Sequence, residues 1–138
     1  MCSSDLVLSL PNGLAAGLVP RLLERGVKVV DLSADYRYRS LAQWQEVYAT
    51  EAREIPRHDQ DLCQEAVYGL VEWEEARIRA ARLVAAPGCF PTASLLALLP
   101  FLQQGLIEPA GIVIDAKTGT SGGGRAAKEH LQIGRAHV

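Results

Sequence analysis

The segment APGCFPTASLLALLP, residues 86–100, sets a cysteine between a Pro-Gly turn and an apolar run led by a second proline. Pro91 suits the first turn of a helix, so Cys89 is expected in the turn just before the helix that Pro91 opens. There the unpaired amides and the positive end of the helix dipole favour a thiolate. Such a terminus is worth roughly 0.3–1 kcal/mol to an anion, and ~2 kcal/mol when partly buried. That helps a nucleophile without completing it, and a neighbouring base, usually His, would still be wanted. His58 stands in a polar stretch and His130 near the C-terminus, and the sequence places neither beside Cys89. On these residues alone two readings stay open: a nucleophile, or the small buried hydrophobe that free cysteine often is.

Other chemistries are narrowed by spacing. A phosphatase loop requires Arg six positions after its Cys, where Leu95 stands, and the papain-type C-G-[SA]-C-[WY] pattern is absent. Cys2, Cys63 and Cys89 form no CxxC pair and no Cys/His ligand spacing, so a reducing compartment and no metal site are expected. GTSGGGR, residues 119–125, spaces its glycines like a Walker A loop but has Arg125 and Ala126 where Lys and Ser/Thr are required. A glycine run after a strand lets amides converge on an anion or a flat ring approach the backbone. It equally reads as a flexible connection. In DLSADYR, residues 31–37, Asp31 and Ser33 read as strand-end caps and Arg37 as a solvated charge when each is taken singly.

The elements that would position these groups alternate. An apolar strand is expected at 6–10, a Pro-Asn-Gly turn at 11–13, and a helix in which Leu14, Leu18, Leu22 and Ala15, Val19, Leu23 recur at helical spacing. Pro20 is expected to kink that helix and Gly26 to end it. VKVVDL, 27–32, has the continuous apolarity of a parallel strand covered on both faces. Strand, helix and strand in so short a span make a right-handed crossover, and ligands gather beyond the carboxyl ends of such strands. Those ends carry Pro11, Asn12, Gly13 and DLSADYR. Residues 40–64 read as a surface excursion with one helical stripe of Leu41, Trp44, Val47 and Tyr48. A short helix then leads into a strand near 82–85, the main helix spans about 91–104, and GIVIDAK, 111–117, is a further strand emptying into the glycine run.

With 138 residues, 49% hydrophobic and 22% charged, the chain has ordinary globular composition. A formal net charge of −2 with scattered Lys and Arg argues against nucleic acid as a partner. The apolar run 93–102 is too short to span a bilayer, and no leader opens the chain, so no membrane partner and a cytoplasmic location are expected. The ends read differently. IGRAHV can be written ATC GGA AGA GCA CAC GTC, a frame of a common sequencing adapter whose next codon is a stop. The complementary strand gives a GTG start followed by Cys-Ser-Ser-Asp-Leu. Residues 1–6 and 133–138 are therefore expected to be adapter-derived, leaving 7–132 as an internal piece of a longer protein. Cys2, Arg135 and His137 carry no functional weight in that reading.

Taken together, VDLSADYR, VYGL, APGCFPTA and DAKTGTSGGGR, in this order and spacing, resemble the N-acetyl-gamma-glutamyl-phosphate reductases, relatives of the aspartate-semialdehyde dehydrogenases. The block around Cys89 fits that family's P-G-C-[YF]-P-T-[AG] pattern. Gly123 stands where its glycine-rich block usually has Ala, and Ala86 where many members have Asn. The resemblance implies an α/β fold: part of a Rossmann-type parallel-sheet domain at 7–88, then the start of an α/β catalytic and dimerisation domain at 89–132. It implies a small-molecule acyl phosphate as substrate, NADPH/NADP as cofactor and a homo-oligomeric parent in arginine synthesis. Cys89 would attack the acyl phosphate, phosphate would leave, and the thioester would accept hydride. Arg37 would bind the substrate phosphate, while Pro11, Asn12, Gly13, Ser121, Gly122, Gly123 and Gly124 would line the cofactor cleft. The family's GxTGxxG loop falls before residue 7 and its catalytic His after residue 132, so this chain alone is expected to be inactive. The alternatives are the related aminoadipyl-phosphate reductase of lysine synthesis and a non-catalytic α/β binding module.

Overall fold

The computed structural model describes residues 5–48, 57–117 and 119. The chain divides into two compact units, Met1–Leu99 and Pro100–Val138.

In the first unit, β1 (Asp5–Leu8) lies parallel to β2 (Lys28–Asp31), with Leu8 opposite Asp31. Parallel neighbours cannot be joined by a hairpin, and α1 (Ala15–Glu24) makes the crossover. β1 sits slightly earlier than the 6–10 expected from apolarity, and the chain turns at Pro11, which has no N–H to give a ladder. Ala15, Val19 and Leu23, four residues apart, put one face of α1 into the core, and the helix runs unbroken through Pro20. It closes where the sequence places the stop: Gly26 has φ +75°, and its N–H and that of Val27 return to Leu23 and Leu22.

The sheet continues in the order β1-β2-β4-β3, all parallel. β4 (Leu83–Ala85) is completely buried against β2. β3 (Val67–Tyr68) is too short to show an alternating pattern and is not foreseen by the sequence reading. Gly69 just after it is required by space, because a Cβ there would stand 2.9 Å from Val84 Cγ1 and 3.2 Å from the Ala85 carbonyl. Leu8, Val19, Leu23, Val29, Tyr36, Cys63, Leu83 and Ala85 belong to one core cluster, each fully buried Val or Leu contributing about 1.5–3 kcal/mol.

The described parts of residues 40–64 correct the surface-excursion reading, and residues 49–56 lie outside the described residues. α2 (Leu41–Tyr48) and α3 (Gln60–Glu65) bury Trp44 and Cys63, respectively. They cover a buried arginine, Arg57, which a polar run does not advertise. α4 (Val71–Ala80) is bent at Glu74 and buries no residue.

α5 (Cys89–Gln103) begins two residues before Pro91 and includes Pro100. It is apolar on every side, yet none of its residues is buried, a pattern that belongs to a helix surrounded by other protein. In the second unit the helix end is closed by Gly105, with φ +65°, and by the Leu106 N–H donating to the Phe101 carbonyl. The strand expected at 111–117 is not formed. Residues 112–117 have no regular structure, Val113 is 90% exposed, and no strand stands beside them among the described residues of this unit. Apolar alternation without a neighbouring ladder leaves the backbone to water. Among the described residues, no helix is long and apolar enough to cross a membrane.

Candidate functional site

At the carboxyl end of the first unit's sheet, three strand exits are tied together by side chains. The turn after β1 is short, the Leu14 N–H donating to the Pro11 carbonyl at 3.2 Å, and Gly13 takes φ +89°. After β2 the chain folds into nested turns. The buried Asp31 carboxylate accepts from the Ser33 N–H (2.9 Å) and hydroxyl (2.7 Å), and Ser33 Oγ accepts from the Asp35 N–H (3.1 Å). Burial pushes the Asp31 carboxyl up, with the two Ser33 hydrogen bonds pulling the other way. Asp31 and Ser33 are thus the strand-end caps that their types suggest.

Asp35 links the two exits. Its carboxylate accepts from the Gly13 N–H at 2.6 Å and the Ala16 N–H at 3.1 Å, and the Asn12 Oδ1 returns a contact by accepting from the Ala34 N–H at 3.1 Å. Leu14, at the N-cap position of α1, makes no side-chain cap. The cap is supplied instead from the β2 loop, and it places a carboxylate on the positive end of α1. A phosphate approaching that terminus would meet the Asp35 charge. Gly13 brings its backbone close without a Cβ, and Ala16 and Gly17 continue a small-residue wall. These three, with Pro20, Arg57, His58, Asp59, Asp61 and Leu62, line a cleft of about 500 Å³.

Arg57 is an enclosed cation, its side chain 1% exposed. Nε and Nη2 form a fork on the Asp59 carboxylate (3.0 and 2.7 Å), and Nη1 donates to the Asp35 carbonyl at 2.7 Å. The guanidinium lies 4.5 Å from the Trp44 ring centre and 5.1 Å from that of Tyr36. Burial works to raise the Asp59 carboxyl, but the Arg57 fork and charge together with Tyr36 outweigh it and hold Asp59 below the usual carboxylate range.

The exit of β4 carries Cys89. Ala86 continues the pairing, its N–H donating to the Asp31 carbonyl at 2.8 Å, and the chain then enters α5. Cys89 is exposed and is the first residue of that helix, with the Thr92 hydroxyl donating to the Gly88 carbonyl at 2.8 Å. Arg37 bridges the exits of β2 and β4: Nε donates to the Ala86 carbonyl at 2.8 Å and Nη2 to the Leu32 carbonyl at 3.1 Å. Its Nη1 lies 3.5 Å from where a Gly88 Cβ would stand. Arg37 is therefore no solvated charge. Its Nη1 prong faces Gly88, the residue before the cysteine.

Pro11, Asn12, Gly13, Arg37 and Cys89 all stand at strand exits, and His58 lines the cleft. Ser121, Gly122, Gly123, Gly124 and His130 lie outside the described residues. Asp35 and Arg57 are organising residues that the sequence reading missed. Asp35 offered a faint signal, an acid two residues after Ser33, whereas Arg57 in its polar run offered none.

Residues 3–81 match the model of the semialdehyde dehydrogenase NAD binding domain, and residues 89–137 match that of the semialdehyde dehydrogenase dimerisation domain. The chain is 67% identical over 135 residues to an N-acetyl-gamma-glutamyl-phosphate reductase of a Synechococcus species, covering 98% of this chain and 38% of that protein. It is 70% identical over 130 residues to the N-acetyl-gamma-glutamyl-phosphate reductase of Parasynechococcus marenigrum, covering 94% and 36%. The chain thus spans little more than a third of the length of the curated relatives it matches.

Proposed function

The chain belongs to the semialdehyde dehydrogenase family, and from that premise we propose that the protein containing it reduces N-acetyl-gamma-glutamyl phosphate to N-acetylglutamate semialdehyde in arginine synthesis. The observation that carries the reading is the setting of Cys89: exposed, first in α5, and one residue beyond the Gly88 position that faces Arg37.

The Cys89 thiolate attacks the acyl carbon of the acyl phosphate. As the sulfur–carbon bond forms, the carbon–oxygen bond to phosphate breaks and its electron pair leaves with the phosphate. The first turn of α5 favours the thiolate, and the thiol proton passes to a histidine in the remainder of the protein. Arg37, already held by two backbone carbonyls, offers Nη1 to the phosphate as it leaves. NADPH, when bound, would supply the hydride that makes the aldehyde C–H bond, and the carbon–sulfur bond would break with its electron pair returning to Cys89 as the thiolate.

The residues at the β1 exit fit the ring-bearing half of such a cofactor. Gly13 and Gly17 leave open backbone beside an uncrowded cleft, while the Asp35 carboxylate at the start of α1 disfavours a phosphate there. Pro11, Asn12 and Gly13 would contact the ring half together with Ser121, Gly122, Gly123 and Gly124, and the phosphates would be held by a loop preceding this chain. A second copy is the expected partner, through the region that residues 89–137 begin. The 138-residue chain alone is expected to bind NADPH weakly and not to turn over.

Mixing the full-length protein with the acyl phosphate in the absence of NADPH should release one phosphate per site and leave an acyl group on Cys89, detectable by peptide mass. Cys89→Ser should lose reductase activity by ~10³-fold or more, the scale of removing a nucleophile. Full activity in that variant would make the nucleophile assignment wrong.

A further inference from the structure

We propose that Arg57 is a positioning residue that fixes the cofactor turn at the β1 exit by holding Asp35 from behind, an inference that rests on the reductase reading above. The side chain is 1% exposed, and a guanidinium is costly to bury unless its donors are used. Here its donors are used in two directions. The fork to Asp59 neutralises the charge, and Cys63 Sγ accepts a further contact from Nη2 at 3.4 Å. The remaining prong, Nη1, is directed at the Asp35 carbonyl.

Asp35 is the residue that grips α1. Its carboxylate takes the Gly13 and Ala16 amides while its carbonyl is taken by Arg57, so the residue is pinned on both sides. The neighbouring Ala34 N–H donates to Asn12 Oδ1, which ties the same loop to the same turn a second time. Tyr36 and Trp44 close over the guanidinium and limit its movement. A chain of contacts therefore runs Asp59, Arg57, Asp35, Gly13. Both ends of it, with Arg57 itself, line the cleft beside α1. Lysine would satisfy one of these directions but not the fork and the carbonyl together.

The test uses the full-length protein. Arg57→Met alone would strand Asp59 as a buried unpaired charge, so the variant is the pair Arg57→Met/Asp59→Leu, which removes both partners and is compatible with a folded core. In a variant that melts cooperatively, KM for NADPH should rise about tenfold or more while KM for the acyl phosphate stays within about twofold. A purely structural role would move neither KM selectively. Hydrogen exchange at the Gly13 and Ala16 amides should also accelerate about tenfold in the variant, with exchange in β4 unchanged. Should the pair fail to fold, Arg57→Lys carries the same two readouts in the same direction. Unchanged cofactor KM together with unchanged exchange at Gly13 and Ala16 in a folded variant would overturn the proposal. The exchange result stands apart from catalysis. A wild-type protein lacking reductase activity would sink the reductase reading, and exchange would still decide whether Arg57 holds the turn.

Discussion

Two cysteines mark two regions of this molecule built on opposite terms. Cys63, on α3, is 1% exposed in the main core and takes a contact from the buried Arg57. Cys89, at the head of α5, is exposed on a helix that buries nothing. Around Cys63 the buried charges are partnered: Arg57 with Asp59, Asp35 with the α1 amides, Asp31 with Ser33. Around Cys89 the backbone is held but the side-chain surface is open. Residue type is the same in both places, and environment alone separates a buried core thiol from an exposed thiol at a helix start.

The sharpest way to break this comparison is differential alkylation. Under native conditions at mild alkaline pH, iodoacetamide should modify Cys89 at least about a hundredfold faster than Cys63, because the buried thiol reacts only when the core opens. Peptide mapping reads the two rates directly. Equal rates would mean that the cover formed by α2 and α3 over Arg57 is not closed in solution.

A smaller effect follows from the acidity of the same core thiol. Burial pushes Cys63 up to about 11, the Arg57 charge pulling the other way. The folded value lies above the unfolded one, near ~8.5, so the folded state retains its proton longer. The contribution is complete below the unfolded value and is lost as pH rises through the folded one, up to about 3 kcal/mol across that window. The urea midpoint should therefore fall between about pH 9 and pH 11, and Cys63→Ala should flatten the fall. Tyr36, also pushed up by burial, keeps part of the slope in the variant. Parallel curves for wild type and variant would show that Cys63 is not sealed.

The contrast also explains what was legible in the sequence. Cys89 at a helix start could be read because Pro91 is a local signal, and the crossover from β1 to β2 because apolar runs and glycine stops are local too. The Asp35 cap was hidden, since its partner Gly13 lies 22 residues away. Arg57 lay unmarked in the polar run read as a surface excursion, because its burial comes from Tyr36 and Trp44, which other segments supply. GIVIDAK shows the reverse failure. Its apolarity is plain at 111–117, but a strand is a relation between two segments, and the second is not among the described residues of that unit.

The finest test compares two glycines, one from each region. At Gly69 a methyl would press on Val84 Cγ1 at 2.9 Å and on the Ala85 carbonyl at 3.2 Å, and β4 is buried and cannot retreat. Gly69→Ala should cost about 1–2 kcal/mol of unfolding free energy, read as a lower denaturation midpoint. At Gly88 the nearest atoms, Arg37 Nη1 and Pro91 Cδ, are both 3.5 Å away, which is ordinary contact. Gly88→Ala should leave stability within ~0.5 kcal/mol yet cover the Arg37 prong that faces the cysteine turn. In the full-length protein its expected signature is a severalfold rise in KM for the acyl phosphate with the cofactor KM unchanged. A Gly88→Ala protein with both constants unaltered would show that Arg37 acts on the backbone of the Cys89 turn and not on the substrate. That outcome would confine the guanidinium to the two carbonyls it already holds.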